Sequence, residues 1–146
     1  MKTKRRVISL LLALALCLSL LPAALAADGD VAEVRTEDGQ VTSYTTFKEA
    51  FDAALAADEA TIKLLADCDR TGDCTVQNGK TIILDLNGCT LSATGGGTVL
   101  NVGRYTGTGR GQLTLTDSSE GKAGKITGGN GTNAGGVFVR GTGTFV

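Results

Sequence analysis

The sequence predicts a mainly β chain, a parallel β-solenoid that begins with a hairpin and one capping helix, and three observations support this fold. Residues 31–44 alternate polar and apolar side chains around an Asp-Gly pair. Residues 47–57 instead carry apolar side chains at helical spacing. From residue 61 the period returns to two, and a short strand pattern recurs about twenty residues later. We therefore predict a hairpin and helix in residues 27–60, and the first rungs of the solenoid in residues 61–146.

The first 26 residues have the organisation of a secretory signal peptide. Four basic residues among the first six precede an uncharged run at 7–21, and Pro22 leads into small residues at 23–27. The apolar run is shorter than the roughly 20 residues that span a bilayer. We therefore expect cleavage near Ala26, no retained membrane segment, and a mature chain that is secreted or held at the cell surface.

Cleavage would leave a mildly acidic chain. Removal of the four basic leader residues leaves 10 Lys and Arg against 15 Asp and Glu, a net charge of −5. This balance argues against nucleic acid as a partner, because phosphate contacts require clustered basic side chains. The remaining length is enough for one small domain.

The hairpin and helix have recognisable local signals. Asp38 and Gly39 are suited to the positive φ angles of a type I′ turn. Thr46 and Glu49 have the spacing of a capping box, which predicts a helix over 47–57. Its apolar face comprises Phe47, Ala50, Phe51, Ala54 and Leu55.

Two similar segments predict neighbouring parallel strands. Thr-Ile-Lys-Leu at 61–64 and Thr-Ile-Ile-Leu at 81–84 would place Ile over Ile and Leu over Leu. Further strands are expected at 99–102, 113–116, 125–127, 137–139 and 144–146. The inward residues would be Ile62, Leu64, Ile82, Leu84, Leu86, Leu113, Leu115, Val137 and Val139, with Phe47, Phe51 and Leu55 covering one end. A β-sandwich or hairpin meander is the alternative, and the repeated order of apolar residues favours parallel stacking.

Four segments also carry a family resemblance. Residues 44–50, 60–65, 78–88 and 124–129, with Leu-Asp-Leu-Asn-Gly at 84–88 the most specific part, resemble the start of large secreted proteins of Gram-positive, often gut-dwelling, bacteria. The resemblance implies a pectin-lyase-like right-handed β-helix at the cell surface, usually without assigned activity. Cysteines such as Cys89 depart from that pattern. Because the sequence stops within a strand pattern, we expect it to be the amino-terminal portion of a longer, truncated β-helix.

No metal or cofactor is predicted. The chain has no histidine and no Cys-x-x-Cys pair, which disfavours zinc. Asp67, Asp69 and Asp73 resemble half of a calcium loop, but Asn78 stands where a bidentate glutamate is needed, so we interpret the segment as a turn. Cys68, Cys74 and Cys89 would remain after cleavage, and export would permit any one of three disulfide pairings.

No catalytic residue is assigned either. Asp85 is the best candidate, with Asp117 and Asp67 possible neighbours, yet an outward aspartate beside an Asn-Gly turn is more typical of a solvated or turn-bonding residue. We therefore predict a non-catalytic module for adhesion, display or glycan contact, whose outer face presents Thr114, Thr116 and Thr127. Expected partners are glycans, host or cell-wall surfaces, and other copies through an open carboxyl-terminal edge.

The alternative function is enzymatic. The chain would then be the amino-terminal part of a β-helix polysaccharide lyase or glycoside hydrolase whose active site lies in further rungs. Clustered Asp, Arg and Lys downstream would favour this reading, and wall-anchoring repeats would favour the module.

Overall fold

A computed structural model describes residues 28–104, 109–129, 134–141 and 143–146, which contain one helix and twelve strands. The predicted signal peptide lies outside these residues. Within the described ranges no helix is long and apolar enough to cross a membrane. The elements are β1 (Ala32–Thr36), β2 (Val41–Tyr44), α1 (Phe47–Ala56), β3 (Glu59–Leu64), β4 (Cys68–Asp69), β5 (Thr75–Val76), β6 (Thr81–Asp85), β7 (Thr90–Ala93), β8 (Leu100–Val102), β9 (Gln112–Thr116), β10 (Lys125–Gly128), β11 (Val137–Val139) and β12 (Thr144–Phe145).

The strands form three sheets. The first sheet has the order β12-β9-β6-β3-β1-β2, the second β10-β7-β4 and the third β11-β8-β5. Every pair in the second and third sheets is parallel. The first sheet is mixed, because β1 is antiparallel to both β2 and β3 while β3, β6, β9 and β12 are mutually parallel. The prediction of a mainly β chain with parallel neighbours is confirmed.

From β3 onward the chain visits the sheets in a fixed order. β3, β4 and β5 lie in the first, second and third sheets, and β6 to β8 and β9 to β11 repeat this order before β12 returns to the first sheet. We call each passage through the three sheets a circuit. Each new strand therefore pairs with the strand at the same place in the preceding circuit.

The predicted pairing of the first two repeats is correct in direction and wrong in register. β3 and β6 are parallel neighbours, but Ile62 lies beside Leu84 and Ala60 lies beside Ile82. The register is thus two residues away from the expected match of Ile62 with Ile82. A shift of two residues keeps every side chain on the same face of a strand, so the assigned faces survive the error.

The hairpin forms with a different turn from the one predicted. β1 and β2 pair antiparallel, and the Gly39 N–H donates to the Thr36 carbonyl at 2.9 Å. Gly39 has a φ of 84°, whereas Asp38 is not among the described residues with positive φ. A type I′ turn needs two residues with positive φ. The connection is instead a hairpin loop of more than two residues, in which only the glycine takes the left-handed conformation.

The helix begins as predicted at Phe47 and ends at Ala56, one residue earlier than expected. The Thr46 side chain accepts a hydrogen bond from the Glu49 N–H at 3.2 Å. The Glu49 carboxylate accepts from the Thr46 hydroxyl at 2.9 Å. The helix packs on β1 and β3, with Phe47 and Phe51 fully buried, and it therefore covers the core beside the first circuit.

The core agrees with most of the predicted inward residues. Those buried are Ile62, Leu64, Ile82, Leu84, Leu86 and Leu113. Leu55, Leu115 and Val137 are only partly buried against this core. Val139 lies beside buried Val102 and therefore faces inward as predicted, but 42% of its surface is exposed. β11 pairs with β8 on one side only among the described residues, which leaves Val139 without a covering strand.

Candidate functional site

The best catalytic candidate, Asp85, lies on the outer face of β6 as predicted, but it is buried rather than solvated. Its residue is only 8% exposed, because the loop after β9 lies over the end of β6. One carboxylate oxygen accepts hydrogen bonds from the Ser118 N–H at 2.8 Å and the Asn87 N–H at 3.0 Å. Burial raises the pKa of Asp85, but the hydrogen bonds from Ser118 and Asn87 outweigh it and leave the pKa below its usual value. The turn-bonding interpretation of this residue is therefore correct.

Asp117 performs a similar role in the next circuit. Its Oδ1 accepts from the Ser119 hydroxyl at 2.6 Å and from the Gly88 N–H at 2.9 Å, while its Oδ2 accepts from the Gly124 N–H at 2.7 Å. The Ser119 hydroxyl is the main cause that lowers the pKa of Asp117 to about 2. A carboxylate held this firmly in its ionised form cannot donate a proton near neutral pH, as a general acid must.

The turn between β6 and β7 joins three consecutive circuits. Asn87 and Gly88 have φ angles of 46° and 81°, which the Asn-Gly pair tolerates. The Asn87 amide donates to the Leu64 carbonyl of the preceding circuit at 2.9 Å. The Ser118 hydroxyl of the following circuit donates to the Asn87 amide oxygen at 3.4 Å. Residues 84–88, the most specific part of the family resemblance, thus form a corner that links neighbouring circuits.

The three carboxylates of the rejected calcium loop do not converge. Asp67 accepts from the Thr90 N–H at 2.7 Å, and Asp73 accepts from the Thr75 hydroxyl at 2.8 Å. Asp69 accepts from the Thr94 hydroxyl at 2.7 Å, and this bond is the main cause that lowers the pKa of Asp69. Across the described part of the chain, no group of three His, Cys, Asp or Glu residues could hold a metal ion.

An open groove of about 350 Å³ runs over the outer side of the second sheet. Its lining consists of Asp67, Cys68, Asp69, Thr90 and Ser92. In register, Ser92 lies beside Asp69 on one side and beside Thr127 on the other, and Lys125 lies beside Thr90. Carboxylate and hydroxyl groups from two circuits therefore form one open polar surface, which we call the second-sheet groove, and β10 of the third circuit runs beside it.

Sequence reasoning missed this groove because it did not predict β4, β5 or β7. In the sequence, Asp69 is a candidate cation ligand and Cys68 a candidate disulfide partner, and no role is predicted for Thr90 or Ser92. The period-two signal in Thr-Leu-Ser-Ala at 90–93 could have identified β7. The predicted outer threonines are divided between faces: Thr114 and Thr116 lie on β9 in the first sheet, and Thr127 lies on β10 in the second.

Cys68, Cys74 and Cys89, the cysteines within the described residues, are free thiols, and none of the three forms a disulfide. Burial raises the pKa of Cys68 to about 11 and that of Cys74 to about 12. Burial also raises the pKa of Cys89. Because the thiolate is the nucleophilic form, all three thiols are poorly reactive at neutral pH.

Comparison with protein-family models, with curated proteins and with solved structures finds no match for this chain.

Proposed function

We propose that this chain is a non-catalytic module of an extracellular or cell-surface protein, built as a right-handed parallel β-helix that contacts glycans through the second-sheet groove. The observation that carries the proposal is the groove itself, in which polar side chains from successive circuits lie in register on an open surface. Sugar hydroxyls both donate and accept hydrogen bonds, and carboxylates and hydroxyls together satisfy both capacities.

The fixed order of the three sheets supports the β-helix. From β3 onward the chain returns to each sheet parallel to its own preceding circuit, which is the pattern expected of a solenoid. Strand-to-strand crossovers between parallel neighbours are almost always right-handed, because a right-twisted strand returns to its sheet most easily that way. The handedness of the proposal follows from that rule and from the family resemblance.

The amino-terminal leader supports an extracellular location. A basic segment, an apolar run and small residues at the expected cleavage position occur in the order that the export machinery recognises. The acidic balance of the remaining chain is compatible with a surface protein that does not bind nucleic acid.

The lowered pKa values and backbone hydrogen bonds of the candidate catalytic carboxylates support a role without catalysis. Hydrolysis of a glycosidic bond needs one carboxyl group with a raised pKa to act as an acid. Asp85 and Asp117 have lowered pKa values and accept backbone N–H groups at a corner. Both side chains therefore stabilise the fold in the described circuits.

A pair of matched substitutions tests the groove. Thr90→Arg places a long side chain in the second-sheet groove, while Thr116→Arg makes the same change on the outer side of the first sheet. We expect the purified chain to bind members of an array of plant, host and cell-wall glycans, and Thr90→Arg to weaken this binding at least tenfold while Thr116→Arg leaves it within twofold. Equal losses in the two variants, or no retained glycan, would contradict the groove as the contact surface.

A further inference from the structure

The corner between β6 and β7 contains a chemically labile pair of residues. In an Asn-Gly pair the glycine backbone nitrogen can attack the asparagine side-chain amide, because glycine has no side chain to hinder the approach. The chain has three such pairs, of which Asn78-Gly79 and Asn87-Gly88 lie within the described residues and Asn130-Gly131 lies outside them. Only Asn87-Gly88 lies at the corner that joins three circuits.

The reaction at this pair needs water and a base alone. The Gly88 N–H loses its proton, and the nitrogen forms a bond to Cγ of Asn87. The bond from Cγ to Nδ2 breaks, and the amide nitrogen takes up a proton and leaves as ammonia. One water molecule then opens the resulting five-membered imide at either carbonyl carbon, which gives aspartate or an isoaspartate whose backbone runs through the former side chain.

In the folded chain both reacting groups have hydrogen-bond partners. The Gly88 N–H donates to Oδ1 of Asp117 at 2.9 Å, and the Asn87 amide Nδ2 donates to the Leu64 carbonyl at 2.9 Å. An N–H held by an ionised carboxylate loses its proton less readily, because the proton stabilises the negative charge. The attacking nitrogen and the leaving amide are therefore both restrained by the fold.

These partners come from different circuits. Leu64 ends β3 of the first circuit, and Asp117 follows β9 of the third. They are 23 and 29 residues away in sequence from the groups that they bind. An unfolded chain loses both restraints at once, since no residue near the pair in sequence supplies them.

The products of the reaction do not fit the corner. A carboxylate at position 87 would direct an oxygen, in place of the donating amide, at the Leu64 carbonyl oxygen. It would also add a third negative charge beside Asp85, which accepts the Asn87 N–H, and Asp117, which accepts the Gly88 N–H. The isoaspartate would add a backbone atom to a turn whose φ angles of 46° and 81° are set by Asn87 and Gly88. Both products would weaken the contacts between circuits.

We propose that Asn87 is a deamidation site that the stacked circuits protect and that unfolding exposes, so that prolonged unfolding produces a chain that refolds poorly. Chemical modification of the unfolded state then makes the loss of structure irreversible. This inference does not depend on glycan binding by the second-sheet groove.

The first test compares the folded and unfolded chain. The protein is incubated in mildly alkaline buffer with and without urea, and deamidation at each asparagine is measured by peptide mapping with mass spectrometry. We expect deamidation of Asn87 to be at least tenfold faster in urea. Equal rates with and without urea would overturn the proposal.

Two matched substitutions test the effect of the product. Asn87→Asp makes the aspartate product directly and should lower the Tm, because it replaces a donor to Leu64 with an acceptor. Gln77→Glu makes the same amide-to-acid change at an exposed position and should leave the Tm unchanged. An Asn87→Asp chain as stable as the Gln77→Glu chain would contradict the claim that deamidation damages the corner.

A further variant tests the protecting contact itself. Asp117→Ala removes the acceptor of the Gly88 N–H and should accelerate deamidation of Asn87 in the folded chain. It should leave the rate at Asn78 unchanged, because the Gly79 N–H donates instead to the Arg110 carbonyl at 2.9 Å. Equal acceleration at both pairs would refute protection by Asp117. If circular dichroism shows that this variant does not fold, the comparison of the unsubstituted chain with and without urea still decides the proposal.

Discussion

Truncation of Leu84 tests the assigned core most stringently. Leu84 is 1% exposed and lies between Ile62 of β3 and Leu115 of β9 in the first sheet. Leu84→Ala removes three carbon atoms, which corresponds to about 2.4 kcal/mol of transfer free energy at about 0.8 kcal/mol per methylene. Strands on both sides hinder collapse of the cavity, so we expect a total loss of about 3 to 4 kcal/mol in the free energy of unfolding.

The assay is urea or thermal unfolding followed by circular dichroism. A loss of this size should lower the Tm by about 10 to 15 °C in a domain of this length. The matched control is Lys63→Ala on neighbouring β3, whose side chain is on the outer face and whose removal should cost well under about 1 kcal/mol. Equal destabilisation by the two substitutions would refute the assigned faces.

Three further predictions concern the corner carboxylates, the thiols and the leader. Because the folded pKa of Asp117 is about 2, below that of an unfolded aspartate, its stabilising contribution is present above about pH 4 and is lost as pH falls towards 2. Asp117→Asn should therefore be less stable than the unsubstituted chain at pH 7 and should lose less stability on acidification; parallel urea titrations at pH 7 and pH 3 measure this, and identical acid sensitivity would contradict it. Cys74, whose pKa burial raises to about 12, should react with a thiol reagent only after unfolding, and rapid labelling of the native chain would count against its buried position. Mass spectrometry of exported protein should find an amino terminus between Ala24 and Asp28, and an intact Met1 or Lys2 terminus would refute cleavage.

Strong local signals explain the parts of the fold that could be predicted. The hairpin is determined locally by Asp38-Gly39. The helix is determined locally by the Thr46 cap and by the helical spacing of the two buried phenylalanines. The strands of the first sheet have alternating Ile and Leu residues facing the core, so period-two reasoning found β3, β6 and β9.

Long-range contacts decide the parts that could not be predicted. β4 and β5 have two residues each and are too short for any periodic pattern to be visible. Successive partners in the first sheet are 22 residues apart for Ile62 and Leu84, 31 apart for Leu84 and Leu115, and 32 apart for Leu113 and Phe145. A search for a constant repeat near 20 residues therefore fails after the first circuit, because later connections are longer.

The site was harder to predict than the fold for the same reason. The alternation of side chains along β6 correctly predicted that Asp85 does not face the core with Leu84. It could not reveal that Ser118, 33 residues later, would lie over Asp85. The second-sheet groove likewise combines residues at β4 and β7, which become neighbours only after two circuits have stacked.

Contact with glycans without turnover is the central functional claim, and one measurement addresses it directly. The purified chain is incubated with a panel of polysaccharides that includes pectin and polygalacturonate, and the size distribution of each polysaccharide is followed by gel filtration. Our account predicts that the chain co-elutes with at least one polysaccharide whose size distribution does not change. Shortening of a polysaccharide by the chain, abolished by Asp85→Ala in a variant that still folds, would contradict the account and favour the enzyme.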